Sequence, residues 1–349
     1  MSSVPATQKE WRVKGQNGND SLILNEQAAV PKLGDKDVLV KFHAASLNYR
    51  DLIIPKGMYP FALQDNVVPA SDGAGEVVSV GSRVTRFKQG DKVATLFNQG
   101  HIAGSLDLAS VGTGVGGVVD GCLRQYGAFD QDGLVHVPKN LNWLEASTLS
   151  CAALTAWNGL YGLEGRALKQ GDWVVTQGTG GVSMFALQFA KAAGAKVIAT
   201  TSSQAKAEKL KKLGADHVLN YKEVSDWGEQ AKQLTGGRGV DFVIEVGGPK
   251  TMAQSLKSVR IDGIIAIIGF VGGQQQEQPT FLDCLSNLCT VRGLLVGSRA
   301  QFDDMNRAIE ANDIHPVLDD QVFSLEQTKD AYQYMWDQKH FGKLTIKIA

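Results

Sequence analysis

Cysteine is scarce in this chain, with four in 349 residues: Cys122, Cys151, Cys284 and Cys289. None stands in a Cys-x-x-Cys pair, so a disulfide scaffold is excluded and free thiols are expected. Net charge is nearly absent too. Thirty-five Lys+Arg face 36 Asp+Glu, a formal −1. That balance excludes the basic surplus with which a nucleic-acid binder neutralises phosphates. Long apolar runs are missing: the longest, Ile264–Val271, falls far short of the ~20 residues that span a bilayer. Met1–Val13 carries Lys9, Glu10 and Arg12 and no apolar segment, and Lys347-Ile348-Ala349 resembles no lipidation or retention signal. A cytoplasmic protein that binds no membrane is therefore expected.

What the chain has is core and glycine. The hydrophobic fraction is 43% and the charged fraction 20%, an ordinary globular composition that argues against disorder. At roughly 150 residues per domain the length predicts about two domains. Glycine numbers 39 without a Gly-X-Y period, so the excess must serve tight turns or close backbone approaches.

Two patterns follow one another along the chain. The first 137 residues read as β-rich. Asp37–Ala44 alternates apolar and polar residues, and Gly75–Val80 and Lys92–Leu96 are further strands separated by Gly-containing turns. From 138 to 298 strands alternate with helices. Trp143–Tyr161 reads as a helix, Asp172–Thr176 as a strand, and Val182–Ala193 as a helix. Lys196–Thr200, Lys206–Leu213, Val240–Val246, Met252–Val259 and Gly263–Gly269 continue the alternation. Because each parallel crossover needs a helix-length connection, this predicts an α/β, doubly wound parallel sheet. The remainder, 299–349, shows one amphipathic helix near Leu325–Trp336 and a closing strand, Lys343–Ile348.

The strongest local signal runs from Asp172 to Ser183. An apolar strand enters Gly178-Thr179-Gly180-Gly181-Val182-Ser183, and a helix starts at once. This is the dinucleotide-binding fingerprint in its proper setting. The first Gly makes the turn, the second admits a pyrophosphate, and the helix start offers free N–H groups and a positive dipole end. Ser183 replaces the third Gly and is small enough to keep the helix on the strand. An NAD site usually carries an acid about 20 residues on, to hold the ribose 2′-OH. Here that place reads Ala199-Thr-Thr-Ser-Ser203, followed by Lys206. Without a carboxylate to repel it, a 2′-phosphate can bind Ser202, Ser203 and Lys206, so NADP(H) is the expected cofactor.

Taken together, Ser46-Leu-Asn-Tyr-Arg-Asp51, Gly57-Met-Tyr-Pro60, Pro69-Ala-Ser-Asp-Gly-Ala-Gly75, Gly90-Asp-Lys-Val93, Leu154-Thr-Ala156, the Gly178 turn, Lys212-Leu-Gly-Ala-Asp216, Asn220-Tyr221 and Phe341-Gly-Lys343 resemble the medium-chain dehydrogenase/reductase superfamily. Within it the chain looks like the zinc-independent quinone oxidoreductase-like branch. The resemblance spans essentially the whole length. It implies a GroES-like β-rich catalytic domain over 1–137, completed by 299–349. It also implies a Rossmann domain over 138–298, a cofactor in the cleft between the domains, and a homodimer through the Rossmann sheet. By the same resemblance Tyr221 joins Lys206 at the adenosine 2′-phosphate. Thr155 and Gly269-Phe270-Val271 line the nicotinamide and its ribose, and Lys343 belongs to the cofactor-binding set.

The superfamily includes zinc alcohol dehydrogenases, whose metal needs three Cys, His or Glu ligands and an open position. At the matching places this chain has Asn48, then Ala70-Ser71-Asp72; only Cys151 agrees. The structural-zinc segment, Phe97–Leu123, holds Cys122 alone, so no metal is expected. Without a Lewis acid, hydrogen bonds must stabilise negative charge on a carbonyl oxygen. Asn48 supplies an amide donor, Tyr59 a phenolic one and Tyr49 a second phenol, while Asp51 orients Asn48 and Arg50. The expected activity is NADPH-dependent hydride transfer to an activated double bond or quinone. An alcohol dehydrogenase or carbonyl reductase on the same fold, and a non-catalytic NADPH-binding protein, stand as alternatives. The Gly-rich loop 98–121 reads as a surface insertion, with a flexible substrate-side lid as the alternative.

Overall fold

The computed structural model describes residues 4–273 and 277–349; Met1–Ser3, at the head of the first expected domain, and Gln274–Gln276 lie outside the described residues. The chain divides into two compact units, Met1–Leu154 with Gly297–Ala349, and Thr155–Val296.

The first unit begins with an antiparallel pair, β1 (Thr7–Val13) and β2 (Leu22–Ala29), which the sequence reading left unassigned. Then come β3 (Asp37–Ser46), a one-turn helix α1 (Tyr49–Ile53), β4 (Asp72–Val80), β5 (Lys92–Thr95), α2 (Leu108–Val111), β6 (Tyr126–Asp130), β7 (Leu134–His136) and α3 (Trp143–Ala146). A π-helical turn, Leu149–Ala153, leads into α4 (Leu154–Tyr161). The expected single helix over Trp143–Tyr161 is thus three pieces, and residues 138–154, assigned from sequence to the second domain, belong with the first unit.

The second unit runs β8 (Trp173–Gln177), α5 (Gly181–Ala192), β9 (Lys196–Thr201), α6 (Gln204–Lys212), β10 (His217–Asn220), α7 (Trp227–Leu234), β11 (Val240–Glu245), α8 (Pro249–Ser258), β12 (Val259–Ile267), α9 (Phe281–Ser286) and β13 (Thr290–Gly293). Its six strands are all parallel and lie in the order β10-β9-β8-β11-β12-β13. Relative to their sequence this is 3-2-1-4-5-6, the Rossmann order, whose reversal point falls beside β8. Val175, Ile198, Val243 and Ile265 bury their side chains in this unit's core, as strands covered on both faces require.

The tail returns to the first unit as α10 (Arg299–Ala311), β14 (Leu318–Ser324), α11 (Thr328–Trp336) and β15 (Lys343–Lys347). The sequence reading gave one helix and one strand there. The missed helix α10 is announced by Ser298-x-x-Gln301, whose side chains close a capping box on each other's backbone. β14 and β15 join β3, β4, β5, β6 and β7 in a seven-stranded sheet. β3 is its spine: β6 pairs with Asp37–Lys41 and β15 with Ala44–Ser46. Val38, Val40 and Phe42 of β3 pack into this unit's core, where Phe42 meets Phe129 edge to face at 5.9 Å. The four cysteines are free thiols. Among the described residues no helix is long and apolar enough to cross a membrane.

Candidate functional site

The glycine turn of the second unit has the geometry its sequence foretold. Gly178 follows β8 with φ +70°, a conformation costing other L-residues roughly 1–2 kcal/mol. A Cβ at Gly178 or Gly180 would meet nothing within 4 Å, so the turn faces open space. Gly180 caps α5 with no side-chain hydrogen bond, leaving the first N–H groups of a 12-residue helix to an incoming anion. Ser183 donates its hydroxyl to Gln177 O at 2.6 Å, tying helix to strand where a third Gly was expected. Thr179 is buried and Val182 half-buried in the same turn.

The ends of neighbouring strands converge here. Gly178 N–H bonds Thr200 O at 3.0 Å, and Tyr221 N–H bonds Thr201 O at 3.0 Å. Ser203 caps α6 by accepting from Lys206 N–H. Ser202, Ser203, Lys206 and Tyr221 therefore gather at the carboxyl ends of β9 and β10. On the other side of β8, Val271 N–H bonds Val246 O at 3.2 Å, so the Gly269-Phe270-Val271 turn lies against the loop after β11. Thr155 is buried in the first turn of α4.

One part of this corner was missed. Glu245, wholly buried at the end of β11, accepts from Gly247 N–H at 2.9 Å, Gly248 N–H at 2.8 Å and Gln177 Nε2 at 2.7 Å. The hydroxyls of Thr251 and Ser255 also donate to it. Gln177 Oε1 in turn accepts from Val246 and Gly247 N–H, both at 3.1 Å. The signal was there: polar residues at the carboxyl ends of apolar parallel strands mark the edge of a ligand crevice.

In the first unit, Asn48 opens α1. Its backbone N–H donates to Asp51 at 2.8 Å, and Arg50 Nη1 donates to the other oxygen of the same carboxylate at 3.2 Å. Burial lifts the Asp51 carboxyl to about 6, against the pull of Arg50. The Arg50 guanidinium lies over the Tyr59 and Phe97 rings, 5.0 and 4.8 Å from their centroids, two cation–π contacts in a buried setting. Arg50 Nε donates to the Tyr59 hydroxyl at 3.4 Å, so the phenolic proton stays available to another acceptor. Tyr49 is half-buried, which raises its phenol above the ordinary value.

Lys343, expected in the cofactor-binding set, has its ammonium at the head of α1. Its ammonium is buried within the first unit and donates to Asn48 Oδ1 at 2.6 Å and Leu47 O at 2.8 Å, with Asp72 Oδ2 at 3.5 Å. The antiparallel register that sets Thr345 opposite Ser46 carries Lys343 opposite Asn48. Its donors are directed at this cluster.

The loop 98–121 is not a plain surface insertion throughout. Val115 is fully buried and its carbonyl accepts from Arg50 Nη1 at 2.9 Å. A Cβ at Gly121 would lie 2.2 Å from Ala70 O, so glycine there permits backbone to pack on backbone. The second half of this loop is a wall of the Arg50 site.

Comparison with known proteins accords with both units. Residues 34–139 match the family described as alcohol dehydrogenase GroES-like domain, and residues 181–311 the family described as zinc-binding dehydrogenase. A zinc-type alcohol dehydrogenase-like protein of Schizosaccharomyces pombe is 47% identical over 95% of this chain and 96% of its own length. A 2-methylene-furan-3-one reductase of Solanum lycopersicum is 29% identical over 99% of this chain and 80% of its own. The crystal structure of an NAD-dependent alcohol dehydrogenase superposes with a TM-score of 0.87 at 29% identity, covering 98% of this chain and all of that one.

The zinc in two of these descriptions does not suit the residues present. Asn48, Ser71 and Asp72 offer an amide, a hydroxyl already donated to Asp72 at 2.7 Å, and one carboxylate. Burial pushes the Cys151 thiol up to about 12, and the amide oxygen of Asn48 is taken by an ammonium. No group of three or more His, Cys, Asp or Glu side chains is placed to hold a metal among the described residues, whereas catalytic zinc asks for three such ligands. A nicotinamide dinucleotide, by contrast, fits the open Gly178–Gly181 turn and its uncapped helix start. With the 47% identical relative covering nearly the whole chain, both family matches and the Rossmann strand order, this chain belongs to the medium-chain dehydrogenase/reductase superfamily and is an NAD(P)H-dependent oxidoreductase.

Proposed function

We propose that the protein is an NADPH-dependent reductase of activated double bonds or quinones that works without zinc. The observation that carries this reading is the donor set at the head of α1. Where the superfamily's metal enzymes need a ligand, Asn48 presents an amide, and Tyr59 adds a phenol joined to it through Asp51 and Arg50 by consecutive hydrogen bonds. An enone or quinone is already polarised, so hydride addition needs only donors at the carbonyl oxygen and a proton for the resulting anion. Bound NADPH supplies the hydride. Asn48 Nδ2–H and Tyr59 O–H hold the oxygen as charge develops there. Arg50, donating to the Tyr59 oxygen, favours release of the phenolic proton to the substrate and steadies the phenolate left behind.

Preference for NADPH rests on Ser202, Ser203, Lys206 and Tyr221 at a strand end without a carboxylate. Gly178 through Val182 would take the pyrophosphate, and Thr155 with Gly269–Val271 the nicotinamide and ribose. The relative that reduces 2-methylene-furan-3-one fits this substrate class. The alcohol dehydrogenase names among the relatives favour a second reading, reduction of unactivated carbonyls with metal. A panel of enones, quinones and aldehydes, run with NADPH and NADH on metal-quantified enzyme, separates the two. Turnover confined to aldehydes and lost to chelator would replace the first reading by the second.

As partner we propose a second copy of this chain. β13 is the edge strand of the parallel sheet, and beside it Phe281, Leu282, Leu285 and Leu288 are exposed, Phe281 by 82%, an apolar patch of the kind that marks interfaces. Light scattering should give a dimer, and Leu285→Asp should shift it toward monomer. A wild-type monomer at micromolar concentration would refute it. The proposed compartment is the cytosol, to be checked by fractionation.

A further inference from the structure

Lys343 fills a cation site. Three oxygens converge on its ammonium: Asn48 Oδ1 at 2.6 Å, Leu47 O at 2.8 Å and Asp72 Oδ2 at 3.5 Å. An ammonium has three N–H donors, one for each. The group is 3% exposed and Asp72 is fully buried, so the charge is held by this cage and not by water. Lys343 and Arg50 face Asp51 and Asp72, two cations against two carboxylates, and the cluster is electrically complete as it stands.

The ammonium also decides which way Asn48 points. A carboxamide whose oxygen is bound to Lys343 must turn its nitrogen away from it. That nitrogen reaches Ser71 Oγ at 3.4 Å. Ser71 has spent its own proton on Asp72 Oδ1 at 2.7 Å, so it can only accept from Asn48 and cannot reverse the amide. One N–H is used at Ser71, and the second is directed by the same fixed plane. Lys343, Asp72 and Ser71 thus form a closed set of hydrogen bonds in which only one orientation of the Asn48 amide satisfies every partner.

We infer that Lys343 is a positioning residue standing in for a metal: its ammonium locks the Asn48 amide with its oxygen on the lysine and its N–H groups turned away from it, so that Asn48 meets a carbonyl oxygen by donation alone. The inference rests on the proposed role of Asn48 as the donor to that oxygen. It narrows the substrates to those bringing a hydrogen-bond acceptor to Asn48. It also explains why a lysine 295 positions away in sequence from Asn48 is buried here.

The test is a mutant cycle on the full chain. Lys343→Met leaves Asp72 buried and unpaired and can fail to fold, so it is combined with Asp72→Asn, which removes both charges at little change in volume. Kinetics are measured with 2-cyclohexenone and NADPH, and NADPH affinity by nicotinamide fluorescence. The expected result is a kcat about 100-fold lower, the usual cost of one oxyanion donor, with the NADPH dissociation constant within about twofold of wild type. In an Asn48→Ala background the same pair of changes should cost less than about threefold more, because Lys343 acts through Asn48. Lys343→Arg, which keeps the charge and donors, should recover part of kcat. A full 100-fold loss in both backgrounds, or a tenfold weaker NADPH affinity with kcat unchanged, overturns the inference. If wild type reduces no enone or quinone, the reductase reading falls and takes this inference with it.

Discussion

Removing the Glu245 carboxylate should loosen the second unit at its nucleotide corner. Glu245 is wholly buried and takes five donors: Gly247 N–H, Gly248 N–H, Gln177 Nε2 and the hydroxyls of Thr251 and Ser255. Some have a second acceptor. Gly247 N–H keeps Gln177 Oε1 at 3.1 Å, Thr251 can fall back on Gly248 O at 3.2 Å, and Gln177 Nε2 on Ser255 Oγ at 2.9 Å. Gly248 N–H has no such substitute among these contacts. In Glu245→Ala one buried amide is stranded, at about 1–3 kcal/mol, and the charge-assisted bonds of the rest are weakened, for a total of about 3–5 kcal/mol. At about 2–4 °C per kcal/mol for a unit of this size, the melting of the second unit should fall by roughly 6–20 °C. Glu245→Gln keeps one oxygen but turns an NH2 toward donors, so it should fall between wild type and Ala. Differential scanning calorimetry reads the shift, and hydrogen exchange at Gly247 and Gly248 localises it. The loop 246–248 backs the Gly269–Val271 turn, so NADPH affinity should fall with it. A Glu245→Ala protein melting within about 2 °C of wild type would refute the reasoning.

Three further outcomes are expected. Tyr59→Phe should lower kcat on an enone by about 10²–10⁴-fold, the range for a lost general acid, with the NADPH dissociation constant unchanged; unaltered turnover would leave Tyr59 a packing residue. Lys206→Ala should narrow the NADPH-over-NADH preference in kcat/KM by about tenfold or more, the worth of a charge-assisted hydrogen bond to a phosphate; an unchanged ratio would place the 2′-phosphate elsewhere. Asp51 is raised from 3.8 to about 6 by burial, so between about pH 4 and pH 6 it is protonated in the folded chain while ionised in the unfolded one. Its contribution to stability is therefore greatest below about pH 4 and declines by on the order of 3 kcal/mol as pH rises to about 6. Asp51→Asn should lack that slope, so wild type should gain on the variant in melting temperature between pH 6 and pH 4.5. Parallel pH profiles would contradict the assignment.

The nucleotide turn was legible because local rules decide it. A positive φ needs Gly178, a helix start needs a small N-cap such as Gly180, and an apolar strand precedes them within a few residues. The strands of the α/β alternation were legible for the same reason. Lys343 was not. Its partners Asn48 and Asp72 are 295 and 271 positions away, and only the register of β15 on β3 brings them together. The wall made by Val115 and Gly121 was equally hidden, since glycines that serve backbone contact look the same in sequence as glycines of a mobile loop. The break in the Trp143–Tyr161 helix reflects the π-helical turn at Leu149–Ala153, where hydroxyls of Ser150 and Thr95 approach to 3.2 Å, a tertiary contact that periodicity cannot show. Domain limits shifted because 138–154 are helical like the second unit yet pack with the first.

Zinc-independent reduction with NADPH is tested most directly by one experiment. The purified protein is assayed for metal, treated with a chelator, and its kcat/KM for 2-cyclohexenone measured with NADPH and with NADH. The expected result is substoichiometric zinc, undiminished turnover after chelation, and a preference for NADPH of about tenfold or more. Stoichiometric zinc with activity abolished by the chelator, or faster turnover with NADH, would contradict it.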